Sequence, residues 1–546
     1  MNKIHSFFLF GVLAGAASCS SGTPDDSESP GDGGTSGSGA AGSAGSMTAN
    51  GGSNASGSGT GGSSVAGSNA AVGGSAGTRP VGSGGAAPGG SGGIPAAGTG
   101  NASGGGAGVP AAGSAGASPA GGSGGGASVA CSMTVTQSLS EKIPTVAAVE
   151  WSADLPAIDS ASIEYGLDTS YGMVAPVDLA EPNHRTLLLG MKTDKTYHFR
   201  VVANAGATQC ASADQTVTTG FRPNEIAFPD ITTPQPEKLY GGYVLSARWG
   251  NNNRGPAFIL DADGELVWWY FVEDDVIRTR LSYDGKSIWI RNTGQTDGSG
   301  IVRRMSLDGL QEDRWELPHT THDLAVMPDG RVGLIGHTSG CDEILIFDPE
   351  TEMLQSIFNA SEAHGKTSCH VNYLAYQAED DSFTFSDYND DSFTKISSDG
   401  TQIKWILNGQ SSTFTGTSWS RQHAIHFITP EHVLVFNNGT GSAASNVFEF
   451  MLDLTSMSAS VVKQYSDNLA VSNGGDVQRL ENGNTMIAWS SKGVLQEVDS
   501  SWAVVQEFEW PAGNTISYIE KRKSLYGGPP PRIHPLGQEP ALDQAP

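Results

Sequence analysis

Basic residues are scarce in this chain. Lys and Arg number 30 against 57 Asp and Glu, a formal charge of -27. A nucleic-acid partner is excluded on that ground, since phosphates need clustered cations. Cysteine is scarce too, at five. No Cys-x-x-Cys pair occurs, so neither a structural zinc site nor any other metal or cofactor is expected. Long apolar runs are missing: nothing after the first residues approaches the ~20 needed to span a bilayer. No P-loop, Gly-x-Ser-x-Gly elbow or dinucleotide fingerprint stands in its proper context. From residue 20 to 128 aromatic residues are absent altogether. That stretch is almost entirely Gly, Ser, Ala, Thr and Pro, which cannot bury enough apolar surface to offset the entropy of ordering. It reads as a disordered Gly/Ser-rich tether with an r.m.s. span of roughly 55–60 Å.

What precedes the tether is a leader, residues 1–19. Lys3 gives a charged start, Phe7 to Ala14 an apolar core, and Ala16-Ala17-Ser18 precede Cys19. This reads as a secretion signal. The small residues directly before a cysteine resemble a bacterial lipobox, which implies lipid attachment at Cys19. Ser20 rather than Asp follows, so the resemblance favours anchoring at the outer membrane. Cys131, Cys210, Cys341 and Cys369 then remain, an even number that suggests disulfides in an exported chain. Domain placement favours pairing Cys131 with Cys210 and Cys341 with Cys369.

Residues 129–222 read as a small β-sandwich. Short alternating strands such as Val146–Trp151, Ser162–Tyr165 and Thr196–Ala203 are separated by turns. The run from Leu188 to Ala203 resembles a fibronectin type III domain. There Tyr197 would be the corner tyrosine and Trp151 the core tryptophan. A spacer or docking role follows.

Between residues 236 and 525 the pattern changes. Asp263-Gly264, Asp284-Gly285, Asp308-Gly309, Asp329-Gly330, Asp399-Gly400 and Asn482-Gly483 are hairpin signals, because glycine supplies the positive φ such turns require. Every second turn falls ~40–55 residues on, which divides the segment into roughly six four-stranded units. The expectation is an all-β chain: a six-bladed β-propeller, with the sandwich before it and a loose Pro-rich tail over residues 526–546.

Three histidines start or precede strands of this segment, roughly fifty residues apart: His322, His370 and His423. A closed ring of repeats would bring them to one mouth of its channel. A neutral imidazole attacks electrophiles and a protonated one holds anions. The plain alternative is three unrelated loop histidines. His426, three residues past His423, is expected on the opposite strand face as a structural residue.

At these residues the chain resembles the bacterial arylsulfate sulfotransferases. The pieces are Thr321-His322-Asp323-Leu324, His370-Val371-Asn372-Tyr373-Leu374, Trp405-Ile406-Leu407-Asn408-Gly409, Gln422-His423-Ala424 with Val433 to Gly439, and Asp476 to Thr485. The resemblance implies an exported six-bladed propeller that moves a sulfuryl group from a phenolic sulfate donor to a phenol acceptor. His423 would be the nucleophile, forming a sulfohistidine. His322 and His370 would contact the sulfuryl oxygens, with Asn372, Tyr388 and Arg421 as substrate-binding candidates. Trp419 and Tyr373 are candidates to stack the phenols, although packing roles suit them better. In one place the chain departs from the family: Tyr388 stands where an arginine is expected. Asp387, Asp390 and Asp391 lie beside it and would oppose sulfate if they faced the site. Arg421, Arg291 or Arg254 would then have to supply positive charge. This departure favours a second reading, a non-catalytic surface propeller binding protein or carbohydrate; a third is another propeller enzyme, such as a lyase or hydrolase acting on polysaccharide.

Overall fold

The computed structural model describes residues 131–249, 255–292, 300–337 and 340–528. The leader with Cys19, the tether, Arg254 and the end of the tail lie outside the described residues.

Strands Met133–Leu139, Ala147–Ala153 and Thr186–Leu188 form one antiparallel sheet of the N-terminal module. Ser160–Gly166, Met173–Pro176, Thr196–Ala205, Thr208–Ala211 and Gln215–Thr218 form the other. Alternation drives the packing: Tyr197, Phe199 and Val201 point inward to Trp151, Ile163 and Tyr165, while His198 and Arg200 point out. The Tyr197 hydroxyl accepts the Lys192 N–H at 2.9 Å, which pins the corner before its strand. A disulfide joins Cys131 to Cys210, and a second joins Cys341 to Cys369.

This module is docked on the larger one rather than held away from it. Thr145 Oγ1 donates to Val267 O at 2.6 Å, and Ser140 Oγ to Asp308 O at 2.6 Å. Arg185 pairs with Asp308 at 2.5 Å, and Ile143 and Leu189 enter the core around Leu245 and Trp268. Tyr526, expected to begin a loose tail, is instead tied in. Its hydroxyl donates to Leu187 O at 2.9 Å and accepts the Leu189 N–H at 3.0 Å.

Six antiparallel sheets follow in chain order, each a blade. Blade 2 is Val276–Leu281, Ser287–Asn292, Gly300–Ser306 and Glu312–Leu317. Blades 3, 4 and 5 begin on Thr320–Val326, Val371–Gln377 and Gln422–Thr429. In blades 2 to 6 the first strand is the inner one, and Val371–Gln377 is buried along its whole length. Outer strands such as Met353–Asn359 are largely exposed. The Asp-Gly and Asn-Gly turns join neighbouring strands, with φ of +68 to +88 at Gly264, Gly285, Gly309, Gly330, Gly400 and Gly483.

Both ends of the segment take part in closure. The C-terminal Thr515–Ile516 and Glu520–Arg522 pair with Tyr243–Trp249 and complete blade 1 from the inside. The early strand Asp230–Thr232 adds to Val504–Glu509 and extends blade 6 on the outside.

Candidate active site

His322 lies on the inner strand of blade 3, His370 just before that of blade 4, and His423 on that of blade 5. The three come together with Tyr388 in a chain of four rings. His322 and His370 are 4.9 Å apart between ring centroids, His370 and Tyr388 5.3 Å, and Tyr388 and His423 5.6 Å. The inner strands share a device that permits this. Each breaks register with its neighbour at this point: between Thr321 and Leu324, Val371 and Tyr373, and Gln422 and Ile425. Such bulges re-aim side chains at the rim of a sheet. His322 at φ +49 and Arg421 at φ +61 occupy the left-handed region, which non-glycine residues adopt only when their surroundings hold them there.

The hydrogen bonds of His423 fix its tautomer. Asn438 Nδ2 donates to Val471 O at 3.1 Å and Gly474 O at 2.8 Å, so its oxygen faces the imidazole. His423 Nδ1 therefore carries the proton and donates it to Asn438 Oδ1 at 2.6 Å. Nε2 keeps its lone pair and accepts the Gly474 N–H at 3.1 Å. Only glycine suits position 474, since φ is +66 and a Cβ would strike Ser490. Burial pulls the His423 pKa down to about 4; the Asn438 bond opposes that pull and the charge of His370 adds to it. His322 is held well below the usual imidazole range by burial first, then by His370, His423 and Arg291. Both are neutral near pH 7.

Arg421 places its guanidinium 4.7 Å over the Tyr388 ring. The Arg421 backbone N–H donates to Asp391 Oδ1 at 2.7 Å. Asp387 is fully buried and accepts from the His370 N–H at 3.1 Å, the Asn389 N–H at 3.0 Å and His364 Nε2 at 2.7 Å. Asp390 pairs with Lys366. Asp387 and Asp391 thus brace the loop that carries Tyr388 through backbone amides and His364, and Lys366 offsets the charge of Asp390. Arg291 is buried, and burial lowers its pKa to about 10; its charge acts on His322. Asn372 is buried and donates to Gln422 O at 3.1 Å, linking blades 4 and 5. Trp419 packs against Phe393 and Phe450, and Tyr373 donates to Ile425 O at 2.9 Å, so both serve the core.

A buried ionic layer links the inner strands of blades 2, 3 and 6. Arg278 bonds Asp323 through Nε at 2.5 Å and Nη2 at 2.6 Å, and Asp476 through Nη1 at 3.2 Å. Its guanidinium lies 3.8 Å over the Tyr518 ring. Asp476 also accepts the Ile519 N–H at 2.9 Å, and Tyr518 donates to Asn372 O. Carboxylates therefore do line the axis, but Arg278 is bonded to both. A cavity of about 170 Å³ adjoins this layer at Asp476 and is lined by residues including Arg280, Ala325, Leu374, His426, Gln478 and Ile519. His426 thus faces the channel, contrary to the parity expected three residues beyond His423. The bulge between Gln422 and Ile425 breaks the alternation.

Asn438, Gly474 and the Arg278 layer were not singled out from sequence. Asn438 and Asp476 do lie in or beside the quoted motifs, but only contacts between blades reveal what they hold.

Residues 346–510 match the family model for arylsulfotransferase (ASST). The matched region contains His370, Tyr388, Arg421, His423, Asn438 and Gly474, and begins after His322. No curated protein matches the chain. Among solved structures, TolB from Acinetobacter baumannii is 10% identical, with 61% of this chain and 80% of that one covered, at a TM-score of 0.39. Virginiamycin B lyase from Staphylococcus aureus is 9% identical, with 71% and 99% covered, at a TM-score of 0.32.

Proposed function

We propose that this chain is an exported arylsulfotransferase, in which a six-bladed propeller carries a sulfuryl group from a phenolic sulfate ester to a phenol through His423. The supporting observation is the neutral His423, its Nδ1–H committed to Asn438 and its Nε2 unprotonated, in the ring cluster of a region that matches the arylsulfotransferase model. Nε2 attacks sulfur and displaces the phenolate, and Asn438 Oδ1 stabilises the positive charge that develops on the ring. The Gly474 N–H, 3.1 Å from Nε2, passes to a sulfuryl oxygen as the N–S bond forms. His322 and His370 contact the remaining oxygens, and Arg291 and Arg421 replace the positive charge lost with the missing arginine. The leader anchors the chain at the outer membrane through Cys19, and the fibronectin-like module is its docking spacer.

The test uses the full chain with its disulfides intact, 4-nitrophenyl sulfate and a phenol acceptor. Acceptor-dependent 4-nitrophenol release that disappears in His423→Ala is the expected result. No release from either protein across several donors overturns the reading and favours a binding propeller, which Tyr388 at the arginine position would also suit.

A further inference from the structure

Sulfuryl transfer between phenols needs a proton as well as a nucleophile. The departing aryl oxygen must gain one and the accepting phenol must lose one. The groups around the ring cluster narrow the choice of carrier. His423 has committed its single proton to Asn438, and burial keeps His322 neutral. Asp387 is saturated by His364 and two backbone amides, and Asp391 accepts from the Arg421 N–H. Arg421 holds its guanidinium over the Tyr388 ring, and the charge of Arg291 acts on His322. Tyr388 stands between His370 and His423, half-buried, with Arg421 over its face.

We propose that Tyr388 is the acid–base catalyst of the reaction, passing one proton between its hydroxyl and the two phenols in turn. The proposal rests on the sulfuryl-transfer reading. In the first half the His423 Nε2–S bond forms and the S–O(aryl) bond breaks. The electron pair stays on the aryl oxygen, which takes the Tyr388 proton and leaves as a neutral phenol. Tyr388 is left as a phenolate under the Arg421 guanidinium, where a cation over the ring face favours the anion. In the second half the acceptor phenol gives its proton to that phenolate. Its oxygen bonds sulfur, and the pair of the N–S bond returns to Nε2. The proton count closes without solvent. Tyrosine fits the role because its side chain is itself a phenol. Proton exchange with donor and acceptor is then close to thermoneutral, the condition for efficient transfer in both directions. An aliphatic alcohol is far too weak an acid to serve as acceptor here.

The test is Tyr388→Phe in the full chain, which keeps the ring under Arg421 and removes the hydroxyl. Donors are a series of aryl sulfates from acidic to weakly acidic leaving phenols. The expected loss in kcat/KM grows along the series, reaching on the order of 100-fold for phenyl sulfate, while sulfohistidine still forms from 4-nitrophenyl sulfate. An equal fractional loss for every donor means Tyr388 only packs, and overturns the proposal while leaving His423 chemistry in place. Should the variant fold poorly, the wild-type solvent isotope effect decides. A normal effect with phenyl sulfate and none with 4-nitrophenyl sulfate supports the proposal; no effect with either overturns it. A wild-type chain inactive alongside His423→Ala removes the sulfuryl-transfer reading, and this proposal with it.

Discussion

Acidification should unfold this protein by a measurable amount through one side chain. Folded, His423 stays neutral down to about pH 4 because its ring is buried. Unfolded, an imidazole titrates near ~6.5. Between those values the unfolded chain binds a proton that the folded chain refuses. The stabilisation is therefore complete above the unfolded value and is lost as pH falls toward the folded one. An interval from 6.5 to about 4 corresponds to about 3 kcal/mol. His322 shifts in the same direction and adds to the wild-type loss. The perturbation is His423→Asn, which keeps a hydrogen-bonding amide beside Asn438 and does not titrate. Urea unfolding of the full chain, followed by tryptophan fluorescence at pH 7.5 and 4, gives both stabilities. The expected result is that the wild type loses about 3 kcal/mol more than the variant over that span. Parallel losses would refute the reasoning, because His423 would then titrate as a solvated imidazole and the neutral nucleophile would have no structural basis.

Three further substitutions, at two positions, probe groups that face no solvent. Arg278→Met strands the Asp323 and Asp476 carboxylates in the channel and should cost about 3–5 kcal/mol, read as a lower urea midpoint. Arg278→Lys should recover little of it, since an ammonium cannot reproduce the two-pronged bond to Asp323. Asn438→Leu removes the group that sets the His423 tautomer. Turnover should fall on the order of 100-fold or more with KM little changed, as when the partner that orients a catalytic histidine is lost. A rise in KM with kcat unchanged would mean Asn438 serves binding instead.

The repeating architecture was legible because its signals are local. Asp-Gly and Asn-Gly pairs demand positive φ wherever they fall, and their spacing divides residues 236–525 into four-stranded units before any tertiary contact forms. The histidines were visible for a related reason: one per repeat at roughly fifty-residue steps, each at a strand edge. The cysteine pairs followed from their placement in two modules.

Other features depend on contacts between residues far apart in sequence. Residues 230–232 and 515–522 join the same ring from opposite ends, and no local pattern pairs them. The bulges between Thr321 and Leu324 and between Gln422 and Ile425 break strand parity, so alternation misplaced His426. Which nitrogen of His423 carries its proton depends on Asn438, which is itself oriented by carbonyls from residues 471 and 474. Tyr388 was legible as a departure from the expected arginine, but Arg421 over its ring was not. By itself the sequence determined where strands turn and which residue types recur, because turn chemistry acts within a few residues. The tertiary structure decided which of them meet, in what protonation state and facing which charge, because burial and blade-to-blade hydrogen bonds exist only once the ring has closed.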